Sequence, residues 1–159
     1  MRNPARERSR NLNREVWESP SVYGGEDVKR SVFGVKVGRL MQSVGDNACF
    51  LTPDVCLEDA EEYIPKIAAC KGLDLALVRE GFGRISSIVE VVPASLYSQY
   101  QSEAIKRIKQ RDIDDWPILA TALLFNCPIW TEDQDFFGTG VPTWTSDRVH
   151  LYFHSEEKN

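Results

Sequence analysis

From residue 31 onward, short continuously apolar runs alternate with stretches whose apolar positions recur every three or four residues. Phe33, Val37, Leu40, Met41 and Val44 have the spacing of one helix face, and Gly45-Asp46-Asn47 ends that helix. Ala48-Cys49-Phe50-Leu51 follows, an apolar run without alternation that suits a strand buried on both faces. Thr52-Pro53-Asp54 then supplies a capping hydroxyl, a proline for the first turn and an acid for the positive end of the helix dipole. This predicts a helix running to about Cys70, broken or kinked at Pro65.

The alternation continues to the end of the chain. Residues 73–87 are patterned as a helix despite Gly81 and Gly83, and 88–92 as a β-branched strand closed by Pro93. A third helix is predicted over 94–110, with Leu96, Tyr97, Tyr100, Ala104 and Ile108 along one side. Asp114-Asp115-Trp116-Pro117 opens the most apolar helix, over 118–125, and 127–131 reads as a strand. Residues 141–144 and 149–153 are further strand candidates. Helices alternating with apolar strands predict an α/β fold whose central parallel sheet is covered on both faces. In such a sheet, ligands bind beyond the carboxyl ends of the strands, where the strand order reverses.

Composition bounds this picture. A chain of 159 residues, 42% hydrophobic, holds one domain with a real core. Its first 30 residues are rich in Arg, Asn, Ser, Glu and Gly, and their one hydrophobic patch, Val16-Trp17 with Val22-Tyr23, is split by Pro20. We therefore expect 1–30 to be disordered or divergent, 31–153 to form the domain and 154–159 to be a tail. No run of 18 apolar residues occurs, and no apolar stretch follows the Arg-rich start, so a soluble, cytoplasmic protein with no membrane segment is expected. Cys49, Cys56, Cys70 and Cys127 lack Cys-x-x-Cys spacing and read as reduced, buried thiols.

The net charge of −5 speaks against bulk electrostatic capture of nucleic acid. It is unevenly spread: residues 1–32 carry seven Lys/Arg against five Asp/Glu, and the remainder twelve against nineteen. Three acidic groups stand out in the second part. In the helix after Leu51, a 100° rotation per residue turns Glu58 away from the buried face and sets Asp59 on its flank, so the helical geometry prefers Asp59. Asp112, Asp114 and Asp115 precede the apolar helix, where a single cap needs only one of them. Asp133 and Asp135 follow the strand that ends in Ile129-Trp130. Carboxylates gathered at one sheet end repel one another unless a cation joins them, and hard oxygens select Mg²⁺ or Mn²⁺ over zinc. Phosphodiester hydrolysis is the chemistry that uses such a cluster.

Arg111-Asp112-Ile113-Asp114-Asp115-Trp116-Pro117-Ile118-Leu119-Ala120-Thr121-Ala122, followed by Cys127-Pro128-Ile129-Trp130-Thr131-Glu132-Asp133-Gln134-Asp135-Phe136, resembles the C-terminal half of a PIN domain. Leu51-Thr52-Pro53-Asp54-Val55-Cys56-Leu57-Glu58-Asp59-Ala60 resembles the family's middle helix. The resemblance implies a three-layer α/β/α sandwich and a Mg²⁺- or Mn²⁺-dependent ribonuclease. It implies RNA as substrate and, since many members are toxins of toxin-antitoxin pairs, an antitoxin as protein partner and a homodimer as a candidate assembly. Carried over by position, the catalytic acids are Asp59, Asp115, Asp133 and Asp135, with Glu58 and Asp112 beside them as metal ligands and Thr131 opening the last acidic loop. One element departs from the family pattern. The family's first strand ends in Asp-x-Asn and lies mid-sheet, and nothing before Ser31 reads that way: Gly25-Glu26-Asp27-Val28 has no strand before it, and Pro20 argues against a central strand at 16–23.

Two other readings compete. A PIN fold that has lost catalysis would persist as a binding module for nucleic acid or protein, which the missing Asp-x-Asn favours. A small-molecule phosphohydrolase or nucleotide binder is disfavoured because no Gly-x-Gly-x-x-Gly or Gly-Lys-Ser/Thr loop occurs. Lys106, Arg107, Lys109 and Arg111 are either guides for RNA phosphates or a solvated helix end, while His150 and His154 are isolated.

Overall fold

The computed structural model describes residues 16–18 and 49–154. The helix expected over 33–44 lies outside these residues. The described elements run β1 (Val16–Glu18), β2 (Cys49–Pro53), α1 (Asp54–Lys71), α2 (Leu75–Ile88), β3 (Val89–Val92), α3 (Ala94–Tyr97), α4 (Gln101–Ile108), α5 (Trp116–Phe125), β4 (Ile129–Trp130), β5 (Thr143–Trp144) and α6 (Val149–His154). Short 3-10 turns at Ser98–Tyr100, Ile113–Asp115 and Gln134–Phe136 join several of them.

The five strands form one sheet in the order β3-β2-β1-β4-β5, and every neighbouring pair is parallel. The strand between β2 and β4 is therefore Val16–Glu18, in a stretch whose sequence argued against it. Glu18 lies opposite Leu51 of β2 and Ile129 of β4. Pro20 does not interrupt the ladder because β1 ends two residues before it. From β1 the chain builds β2 and β3 to one side and β4 and β5 to the other, so the order reverses between β1 and β4. Helices α1 and α5 pack on β2, α2 packs on β3, and α5 also touches β1, which gives the α/β sandwich expected from the alternating pattern.

Helix α5 is the centre of the core. Pro117, Ile118, Leu119, Ala120, Thr121, Ala122 and Leu124 are all buried, and Asn126 in the left-handed conformation ends the helix. Trp130, 1% exposed, packs against Phe50 with 6.0 Å between ring centroids and donates its indole N–H to Ser146 Oγ at 3.0 Å.

Several elements differ from expectation, each for a local reason. Helix α1 runs through Pro65, which is exposed, and ends at Gly72, where Leu73 N–H reaches Ala68 O and Gly72 N–H reaches Ala69 O. Asp74 caps α2 through the Ala76 and Leu77 N–H groups, which overrides the two glycines. The predicted 94–110 helix is broken by the turn at Ser98–Tyr100. The stretch 149–153 is helix and not strand. Val149 N–H bonds Thr145 O, opening a helical turn, and the inward residues Val149 and Tyr152 are three apart. Cys56 and Cys127 are buried as expected, whereas Cys49 is half-buried and Cys70 is exposed in the last turn of α1.

Candidate functional site

Because all strands are parallel, β1, β2 and β4 have their carboxyl ends on the same side of the sheet, and the order reverses between β1 and β4. Two of the three acidic groups meet there. Asp112 accepts the Asp114 N–H at 3.0 Å and caps the turn Ile113–Asp115. Asp115 begins α5, yet its side chain makes no capping bond, so capping does not account for it. After β4, the Thr131 hydroxyl accepts the Asp133 N–H at 2.9 Å and Asp133 Oδ1 accepts the Asp135 N–H at 2.9 Å. These turns carry Asp133 and Asp135 back toward the start of α5. Carboxylate oxygens of Asp115, Asp133 and Asp135 lie within 4.8 Å of one another, and all three residues are half-buried.

Burial pushes the Asp115 carboxyl up to about 7, and the charges of Asp112, Asp133, Asp135 and Asp114 push in the same direction. Three carboxylates with no His or Cys among them, close enough to share one ion, fit a hard divalent cation such as Mg²⁺ or Mn²⁺.

Two arginines, Arg107 of α4 and Arg111 just after it, tie down the chain that follows β4. Arg111 Nη1 donates to Gln134 O at 2.9 Å and to Asp135 O at 2.8 Å. Arg107, itself paired with Glu103 at 2.7 Å, donates to Thr139 O at 3.1 Å. Gly140, at φ +84°, allows this approach, since a Cβ there would sit 3.0 Å from the Arg107 guanidinium. Of the basic residues that sequence reasoning set out as guides for RNA phosphates, these two are engaged with backbone carbonyls; periodicity could not show that.

The first acidic group is placed differently. Glu58 and Asp59 are exposed on α1 and do not belong to the cluster of three. The α1 acid with the most defined role is Asp54, which sequence reasoning treated only as a dipole partner. Burial pushes its carboxyl up, but hydrogen bonds from the Tyr97 hydroxyl at 2.6 Å, the Ala94 N–H and the Val55 N–H outweigh this and lower it. Thr52, expected to cap α1, is instead fully buried with its hydroxyl unpartnered. Tyr97 packs edge-on against Trp116, with 5.7 Å between centroids, and so links the start of α1 to the residue after Asp115. The acid at the end of the central strand is Glu18. No composition signal marks a three-residue strand, and the one available cue was the hydrophobic pair Val16-Trp17 directly before an acid.

A family model described as PIN domain matches residues 24–154. In three dimensions the chain is similar to the crystal structure of PAE2754 from Pyrobaculum aerophilum, with a TM-score of 0.65 over 89% of this chain and 90% of that chain. The identity is 11%, so this likeness speaks for the fold. No curated protein matches the sequence.

Proposed function

Starting from a chain that belongs to the PIN domain family, we propose that it is a Mg²⁺- or Mn²⁺-dependent ribonuclease whose centre is formed by Asp115, Asp133 and Asp135. The observation that carries this reading is the meeting of those three carboxylates, from two separate segments, at the edge where the strand order reverses. Asp115, Asp133 and Asp135 would hold the cation, which would supply Lewis acidity and an acidified water for hydrolysis of a phosphodiester. Asp115 has to give up its proton to become a ligand, and with a carboxyl near 7 it does so in the neutral range. Asp133 and Asp135 are preset by the turns after Thr131, and Arg111 fixes the backbone that carries them. Glu18, which ends the central strand beside β4, is the acid we place where the family's first strand supplies one.

The test is cleavage of single-stranded RNA by the purified protein with Mg²⁺, Mn²⁺ or EDTA, alongside Asp115→Asn. Cleavage that needs the cation and disappears in the variant supports the proposal. A protein that neither cleaves RNA nor gains thermal stability from either cation is a PIN fold retained for binding, and the nuclease reading falls.

A further inference from the structure

Between β5 and the loop that follows β4 lies a groove of about 600 Å³ lined by Glu132, Gln134, Phe137, Trp144, Arg148 and neighbouring threonines. Its volume is in the range of small-molecule sites. Glu132 and Gln134 flank Asp133 in the chain, so the groove and the cluster are carried by the same acidic loop. We propose that this groove takes a nucleobase of single-stranded RNA, with the base against Trp144 and Phe137 and its phosphate on Arg148. The inference rests on the ribonuclease reading and adds a subsite to it.

Three observations support that occupant. Trp144 is a fixed platform: it belongs to β5, is half-buried and packs on Tyr152 with 6.0 Å between centroids. Its indole N–H is buried without an acceptor, an unmet demand in the groove wall. Phe137 is 42% exposed and follows the turn that carries Asp135, so its ring is open to a ligand in the groove. A pair of aromatics presents faces on which any base stacks, and this is how proteins hold single strands without reading sequence.

The charge agrees. Arg148 is the cation of the lining, and its contact with Asp147, at 3.7 Å with both side chains about three-quarters exposed, is a weak pair that leaves the guanidinium open to a phosphate. By contrast, Arg107 and Arg111 are directed at loop carbonyls. The Glu132 carboxylate, which would repel a phosphate, receives the Ser146 N–H at 2.7 Å. An aromatic wall with one open arginine, carried in part by the same loop as Asp133 and Asp135, is chemically matched to a nucleotide of the strand bound at the proposed centre.

The experiment measures binding apart from cleavage. A short fluorescein-labelled oligoadenylate is titrated with the full chain in EDTA by fluorescence anisotropy, and the same is done for Phe137→Ala and Arg148→Gln, both at exposed positions. Loss of a stacked base weakens Kd by about tenfold in Phe137→Ala, and Arg148→Gln lowers the slope of log affinity against log salt by about 0.7. Adenosine monophosphate displaces the oligonucleotide, and ribose 5-phosphate does so far less well. Variants that bind like the wild type, or equal displacement by the two competitors, overturn the subsite while leaving metal-dependent cleavage untouched. If the variants lose binding but no cation supports cleavage by the wild type, the subsite stands and the ribonuclease reading falls. Absence of any binding to the oligonucleotide overturns the subsite.

Discussion

Replacing Asp115 by Asn tests whether the acidic cluster is electrostatically shared. In the folded protein the Asp115 carboxyl is pushed from 3.8 to about 7, first by burial and then by the neighbouring aspartates. For a site sealed from solvent this corresponds to about 4 kcal/mol; Asp115 is only half-buried, and solvent screening reduces the effect to about 1–2 kcal/mol. The sign follows from linkage. Because the carboxyl ionises more readily in the unfolded chain, ionisation favours unfolding: the penalty is absent below about pH 4, grows as pH rises toward 7 and is complete above it. Asp115→Asn removes the penalty without changing the side chain's shape. In EDTA at pH 8 the variant gains about 2–8 °C in Tm over the wild type, from about 2–4 °C per kcal/mol for a domain of this size, and the gain vanishes at pH 4. With Mg²⁺ or Mn²⁺ the order narrows or reverses, because the wild type gains cation binding that the variant lacks. Thermal unfolding followed by circular dichroism at the two pH values gives the result directly. An unchanged or lower Tm for the variant at pH 8 without metal refutes a shared negative site.

Three further outcomes follow from the packing. Trp130→Ala empties a position that is 1% exposed against Phe50 and costs about 3–5 kcal/mol in urea denaturation; a loss below about 1 kcal/mol contradicts the burial of β4. Arg111→Met removes the donors to Gln134 O and Asp135 O, lowering kcat with KM and its salt dependence unchanged, since Arg111 positions the loop; a raised KM with a weaker salt dependence instead makes Arg111 a phosphate contact. Glu18→Gln, at the end of the central strand, raises the Mn²⁺ concentration needed for half-maximal cleavage, and an unchanged metal titration removes Glu18 from the site.

What was legible in the sequence was whatever a local pattern encodes. The helix after Asp115 could be read because seven of its ten residues are buried, and the acids on either side of it because they sit at a helix start and a strand end. The parallel sheet could be read because its crossovers are long and its strands unalternating. The central strand could not: its three residues are ordered by pairing with β2 on one side and β4 on the other, and neither partner is near in the chain. Helix α6 was misread because two inward residues in a short apolar stretch carry too little periodicity to separate a strand from a helix. Arg107 of α4 and Arg111 just after it were open to two readings for a related reason, since a basic helix end looks the same whether its charges meet solvent, phosphate or a loop that returns 23 to 32 residues later.

The choice between Glu58 and Asp59 is where tertiary contacts change the weighting most. Rotation about an isolated α1 favours Asp59, because Glu58 points away from the helix's apolar face. A functional acid, however, need not lie on that face; it has to face the site. Asp54 and Glu58 are four residues apart and share one side of α1, and Asp54 is already fixed by the Tyr97 hydroxyl. Burial raises the Tyr97 hydroxyl above its ordinary value, and Asp54, Cys56 and Glu58 add to the rise, so the charge of Glu58 is felt at a ring that rests on Trp116, next to Asp115. Asp59 is rotated by about 100° from that side. If α1 contributes an acid to the centre, Glu58→Gln therefore lowers cleavage by about tenfold or more at limiting Mn²⁺ and weakens metal-induced stabilisation, while Asp59→Asn leaves both at the wild-type level. Loss of activity in Asp59→Asn with Glu58→Gln fully active would reverse the assignment and restore the helical-wheel argument. Two inactive variants would mean that both acids line the cleft, and two active ones would mean that neither Glu58 nor Asp59 contributes to the centre.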